Sequence, residues 1–153
     1  MVPVSGPEHA PGDVLQPRDV VTALRLRQDS RALAASPLVR LRAVQHRAVG
    51  QFAGREDAGG LALQEALDEA LAALAAELAT RTYPGYRHDR ADFAVLSRGG
   101  ATAETARALG IERNTNHYRM LAAVRVRLVQ RLLWYLATKS PAAQGIRMAP
   151  ASA

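Results

Sequence analysis

Between positions 113 and 119 the chain sets Arg113, Asn114, Asn116, His117 and Arg119 close together, with Thr115 among them. Arginine can offer two parallel donors to guanine, and asparagine can pair one donor and one acceptor with adenine. Held on one helix, such a set reads base edges. The hydroxyls of Thr115 and of Thr102 suit a phosphate oxygen or a helix cap. Each of these side chains could equally belong to the wet face of a surface helix, so their meaning depends on the frame that presents them.

Other chemistry is not legible. The chain has no cysteine, which excludes disulfides and thiolate metal sites. His9, His46, His88 and His117 never fall at i, i+4, so no zinc-binding pair is expected on a helix. There is no Gly-rich phosphate loop, no GxSxG elbow and no separated acid pair in an apolar surround. Glu65, Asp68, Glu69 and Glu77 are expected on the exposed side of one helix. The chain is therefore expected not to be an enzyme and to need no metal or cofactor.

The frame is the stretch Thr102 to Leu121, TAETARALGIERNTNHYRML. It predicts two short helices about a tight turn, with Ala106 inward, Gly110 at the bend and Ile111 just beyond. That is a helix-turn-helix pattern, in which the second helix can enter a major groove. A supporting helix is predicted from His88 to Leu96, turning Phe93, Val95 and Leu96 inward and stopping at SRGG. The recognition helix is predicted to start near Glu112 or Arg113 and to run toward Thr138. Met120, Val124 and Leu128 would form one apolar line, extended by Leu121, Leu132 and Leu136. Trp134 and Tyr135 would anchor its far end against the N-terminal helices. Arg125, Arg127 and Arg131 read as phosphate contacts or solvated charges.

From about Tyr86 to Leu136, roughly a third of the chain, the sequence resembles the helix-turn-helix of bacterial regulators, particularly the fourth conserved region of sigma factors. The residues that carry the resemblance are Ala106, Leu109, Gly110, Ile111, Arg113, Thr115, Met120 and VRVRL at 124–128. It implies DNA contact through Thr102, Arg113, Asn114, Thr115, Asn116, His117 and Arg119. The chain departs from the pattern at Asn116, where a small branched apolar residue ordinarily packs under the helix.

Upstream, the first sixteen residues read as a flexible lead-in rich in proline and glycine. Pro17 suits a first helical position, and Val20, Val21 and Leu24 follow at helical spacing. RALAA predicts a further single turn. Ser36–Pro37 predicts the start of a helix carrying Leu38, Leu41, Val44 and Ala48 on one face and ending at Gly50. AGREDAGG, residues 53–60, predicts a solvated loop. A long helix follows from about Leu61 to Thr80, where Leu63, Leu67, Leu71, Leu74 and Leu78 repeat with the steps of a bundle seam. TYPGY should end it, dividing an N-terminal helical part (17–81) from a DNA-facing part (86–138) that packs upon it. The tail from 139 to 153 is expected to be flexible.

Hydrophobic content of 48% suffices for a packed core, while the wealth of alanine and leucine favours helices over sheet. The expected fold is an all-α helical bundle with a C-terminal helix-turn-helix. Charge is divided unevenly: residues 1–80 hold eight arginines against ten acids, whereas residues 81–153 hold eleven arginines and Lys139 against four acids. The basic half coincides with the proposed motif, as attraction to a phosphate backbone requires. The chain shows no basic leader with an apolar run and no stretch apolar enough to span a bilayer, so a soluble cytoplasmic protein is expected, without membrane contact. These readings predict a sequence-specific regulator that binds double-stranded DNA, with its N-terminal helices serving homodimerisation or partner binding. The alternative is an adaptor whose sigma-like part binds RNA polymerase or another protein.

Overall fold

The structure, a computed structural model, describes residues 15–80 and 86–138, and among these every regular element is helical. The expected lead-in before Leu15, the break at 81–85 and the tail from Lys139 lie outside the described residues.

Helix α1 spans Pro17–Arg25. Proline has no amide hydrogen to leave unpaired at its start, and Asp19 accepts a hydrogen bond from the Gln16 N–H at 2.7 Å. Its inner face buries Val20, Ala23 and Leu24. Asp29 caps the single turn α2, Ser30–Leu33, by accepting from the Ala32 N–H at 3.1 Å.

Ser36 accepts from the Leu38 N–H as its type predicts, but the helix it opens is not continuous. A 3-10 turn covers Pro37–Arg40, Leu41 is extended with φ −59° and ψ 134°, and α3 begins anew at Arg42 and runs to Gln51. On one straight helix Leu38 and Val44 would point about 120° apart. The break turns both into the core, where each is fully buried. Gly50 lies within the last turn of α3 and does not end it.

Helix α4, Ala58–Ala79, starts three residues before the expected Leu61. The glycines read as loop belong to the helix because α2 lies directly on it. A Cβ on Gly60 would come within 1.6 Å of the Ser30 carbonyl oxygen. Ser30 also donates to Asp57 at 2.6 Å. Leu63, Leu67, Leu71, Leu74 and Leu78 are all buried, as their spacing predicts.

Helices α5 (Tyr86–Leu96), α6 (Thr102–Leu109) and α7 (Asn116–Thr138) complete the fold. SRGG stops α5 as expected. Gly99 adopts φ +79°, and a Cβ there would lie 2.7 Å from the Arg25 Cα, so the end of α1 seats on this turn. Helix α7 is the common neighbour of α1, α3, α4, α5 and α6. Its Val124, Leu128, Val129, Leu132 and Leu136 join the leucines of α4 in the main core cluster. Val95, Ala106 and Leu121 are buried outside that cluster, where α5, α6 and α7 meet.

Candidate nucleic-acid interface

The connection from α6 to α7 is built by two capping devices. Gly110 takes the left-handed conformation, φ 70° and ψ 30°. The Ile111 N–H donates to the Ala106 carbonyl at 2.8 Å and the Gly110 N–H to the Arg107 carbonyl at 3.2 Å, the paired bonds of a Schellman stop. Thr115 then starts α7. Its Oγ1 accepts from the Tyr118 N–H at 3.2 Å and donates to the Glu112 carbonyl at 2.8 Å. Because Thr115 can cap and Ile111 and Glu112 do not, α7 begins at Asn116 rather than near Glu112 or Arg113.

Arg113 and Asn114 consequently stand in the turn, both exposed, with the Arg113 guanidinium 5.7 Å from the centre of the Tyr118 ring. Asn116, His117 and Arg119 occupy the first turn of α7 and are exposed. The structure thus brings residues 113–119 to one end of the molecule. Thr102 is not among them. It is the first residue of α6, about 12 Å from Gly110 by helical rise, and Ala101 holds the capping position without a side-chain bond. The departure at Asn116 has a plain outcome: its side chain faces solvent and packs under nothing. Met120, expected in the buried line, is 47% exposed, and Leu121 takes the inward place beside Val124.

Among the described arginines of the basic half, Arg90 donates to the Leu78 carbonyl and Arg98 pairs with Glu104, and the rest divide into two groups. Arg125 donates to Asp92 at 2.7 and 2.8 Å and to the Gly100 carbonyl at 2.8 Å. Arg127 pairs with Asp89 at 3.2 Å, and Arg131 with Glu77 at 2.9 Å. Expected as phosphate contacts or solvated charges, all three are tied to carboxylates of α5 and α4, and Arg127 is also exposed to solvent. Glu77 is half-buried rather than exposed, since it also accepts from the Tyr135 hydroxyl at 2.7 Å. Its bond to Arg131 holds that guanidinium above its ordinary pKa, and burial, followed by the Glu77 contact, pushes the Tyr135 phenol up. Trp134 is 43% exposed and lies under Arg131 at 4.3 Å, so Tyr135, not Trp134, packs toward the core.

Arg87, Arg107, Arg113 and Arg119 form the second group. None makes an ion pair among the described residues. They come from the start of α5, the end of α6, the turn and the start of α7, so the free positive charge is gathered around the α6–α7 connection. Arg87 and Arg107 were not anticipated, because nothing in their local spacing marks them.

Behind this end stands a buried polar network that the sequence reading missed. Asp92 and Thr105 are both fully buried. Thr105 donates to Asp92 at 2.6 Å, and Arg125 closes on the same carboxylate and on Gly100. One side chain of α5 is thereby bonded to α6 and α7. With few apolar residues at this junction, the network contributes much of what orients α7 against α6.

A cleft of about 750 Å³ opens between the first turn of α5 and the α6–α7 connection, lined by residues including Arg87, His88, Glu112, Thr115 and His117. The His88 and His117 rings face one another with centroids 6.3 Å apart and planes 12° from parallel. His88 Nδ1 is buried with no hydrogen-bond partner. No group of three or more metal-ligating side chains occurs among the described residues, and no described helix is long and apolar enough to cross a membrane. Compared with known proteins, the chain matches no family model, no curated protein and no solved structure.

Proposed function

We propose that the chain is a sequence-specific regulator that binds double-stranded DNA through the α6–turn–α7 unit, with the start of α7 entering the major groove. The observation that carries this reading is the segregation of arginines. Those of the α7 body are paired with carboxylates of α4 and α5, while Arg87, Arg107, Arg113 and Arg119 make no ion pair among the described residues and stand around the N-terminus of α7. Free cations clustered where backbone amides also point outward favour a polyanion. Asn116, His117 and Arg119 on the exposed first turn supply the hydrogen-bonding groups that can distinguish bases. Asn114 and Arg113 flank them, and Thr115 supports them as the cap. Thr102 has no part in base contact on this reading.

Affinity for a library of genomic duplex fragments tests the proposal. A subset bound well above the rest supports it, whereas equal, salt-labile binding to all fragments overturns the specific reading. The double change Arg113→Ala and Arg119→Ala should weaken binding and make its salt dependence shallower by about one unit of slope per lost phosphate contact.

A protein-binding adaptor is the second reading, favoured by the exposure of Met120, Val126 and Trp134 along α7. Exposed apolar side chains on one helix suit a protein partner such as RNA polymerase. Retained partner capture with no duplex binding at low salt would select it.

A further inference from the structure

From the cleft between α5 and the α6–α7 connection we infer a phosphate site whose occupancy takes up a proton through the stacked pair His88 and His117. The inference rests on the nucleic-acid reading above and adds a mode of regulation to it: the protein would grip a backbone phosphate more tightly as pH falls.

Three observations carry it. The first is composition. The charged groups lining the cleft are Arg87 from α5 and Glu112 from the turn, while α6 contributes only Ala108 and Leu109. Arg87 makes no ion pair, so one fixed cation already faces the space. The second is the imidazole pair, one ring from α5 and one from α7, held nearly parallel at 6.3 Å. Neither ring is bonded to a carboxylate. The Arg87 guanidinium and the Glu112 carboxylate face the pair from the same cleft. A phosphate bound there would attract an imidazolium and so favour its formation. The third is His88 Nδ1, a buried ring nitrogen with no hydrogen-bond partner among the described residues. Thr115, on the same wall, adds a hydroxyl beside the start of α7.

Imidazole is the side chain whose charge ordinarily changes between pH 5 and 8. An anion that prefers the protonated pair must, by linkage, bind more tightly where protons are more available. The proton comes from solvent and returns to it on release, so no other reactant is needed. The same phosphate chemistry is presented by a DNA backbone and by free inorganic phosphate, and the experiment separates the two.

The full chain is titrated with a short mixed-sequence duplex and, separately, with inorganic phosphate, at pH 6 and pH 8. Binding is followed by fluorescence anisotropy of the duplex and by nitrogen NMR of the imidazoles. Duplex affinity should be about tenfold greater at pH 6 for one proton fully coupled over a single pH unit of the range, and the His88 and His117 signals should shift on binding. His88→Gln and His117→Gln should each flatten the pH dependence, while His46→Gln, on the distant α3, should leave it intact. Duplex binding that is equal at the two pH values, with both imidazole signals still, overturns the phosphate site and leaves the DNA reading standing. Imidazole shifts with inorganic phosphate but no duplex binding would uphold the anion site and overturn the DNA reading. Loss of the pH dependence in His46→Gln would overturn the assignment to this pair.

Discussion

At the scale of single residues, Asp92 holds the C-terminal helices in register. Its carboxylate is fully buried and meets Thr105 and Arg125 within 2.6 to 2.8 Å. Asp92→Asn preserves the shape but leaves the Arg125 guanidinium without its opposite charge in a half-buried setting. Breaking a buried pair from one side costs about 3 to 5 kcal/mol, more than the pair itself contributes over an apolar replacement. Urea unfolding of Asp92→Asn should show a loss of that order; a loss under about 1 kcal/mol would mean that water reaches Arg125 readily. A second residue-scale effect is sensitive to pH. The Ser30 hydrogen bond, more than anything else, holds the Asp57 carboxyl below its ordinary pKa. A depressed carboxyl contributes stability that is present above its unfolded value and lost as pH falls through its folded one, hence below about pH 4. Ser30→Ala should therefore destabilise the protein at neutral pH, and the gap between variant and parent should narrow on acid titration. A gap that stays constant down to the acid transition would count against the Asp57 contact.

At the scale of elements, the glycines discriminate between close packing and mere helix weakening. Gly60 faces the Ser30 carbonyl, and an added Cβ has no room without moving α2 off α4. Gly60→Ala should cost at least about 1 to 3 kcal/mol by overpacking. Gly50 has nothing within 4 Å of the same atom, and there alanine should stabilise α3 by about 0.5 to 1 kcal/mol through its greater helix propensity. Thermal melts of the two variants should shift in opposite directions. The contrast also explains which elements could be read in advance. The leucine steps of α4 and the stop at Gly110 are local patterns with one physical cause each, and both are found where expected. Residues 58–60 misled because glycine serves a loop and a close helix contact equally well. The break at Leu41 was invisible because only the tertiary core requires Leu38 and Val44 to point together. Likewise the partners of Arg125, Arg127 and Arg131 stand 33, 38 and 54 residues away, so no periodicity could separate these arginines from the free ones at 113 and 119.

At the scale of the molecule, α7 is exposed at its first turn and is the core strut beyond it. It packs with α1, α3 and α4, and Arg125, near its middle, bonds to Asp92 of α5, which also holds Thr105 of α6. The charge division near residue 81 is therefore not a division of the core. Fully buried Leu132 tests the point, because it belongs to the main cluster and lies remote from the α6–α7 connection. Leu132→Ala should cost about 2 to 5 kcal/mol, depending on how far the site collapses. If the helices form one cooperative unit, hydrogen exchange of the most protected amides should accelerate in α4 and in α6 by the same factor, roughly thirtyfold or more for a loss of that size. The unfolding curve read from Trp134, the single tryptophan, should coincide with that read from helical circular dichroism. Acceleration confined to α1 through α4, with α6 unchanged, would instead give α5 and α6 a stability of their own. Their small shared core of Val95, Ala106 and Leu121 argues against that outcome, since three buried apolar side chains and the ion pairs around them bury too little to order α5 and α6 without the leucines beneath α7.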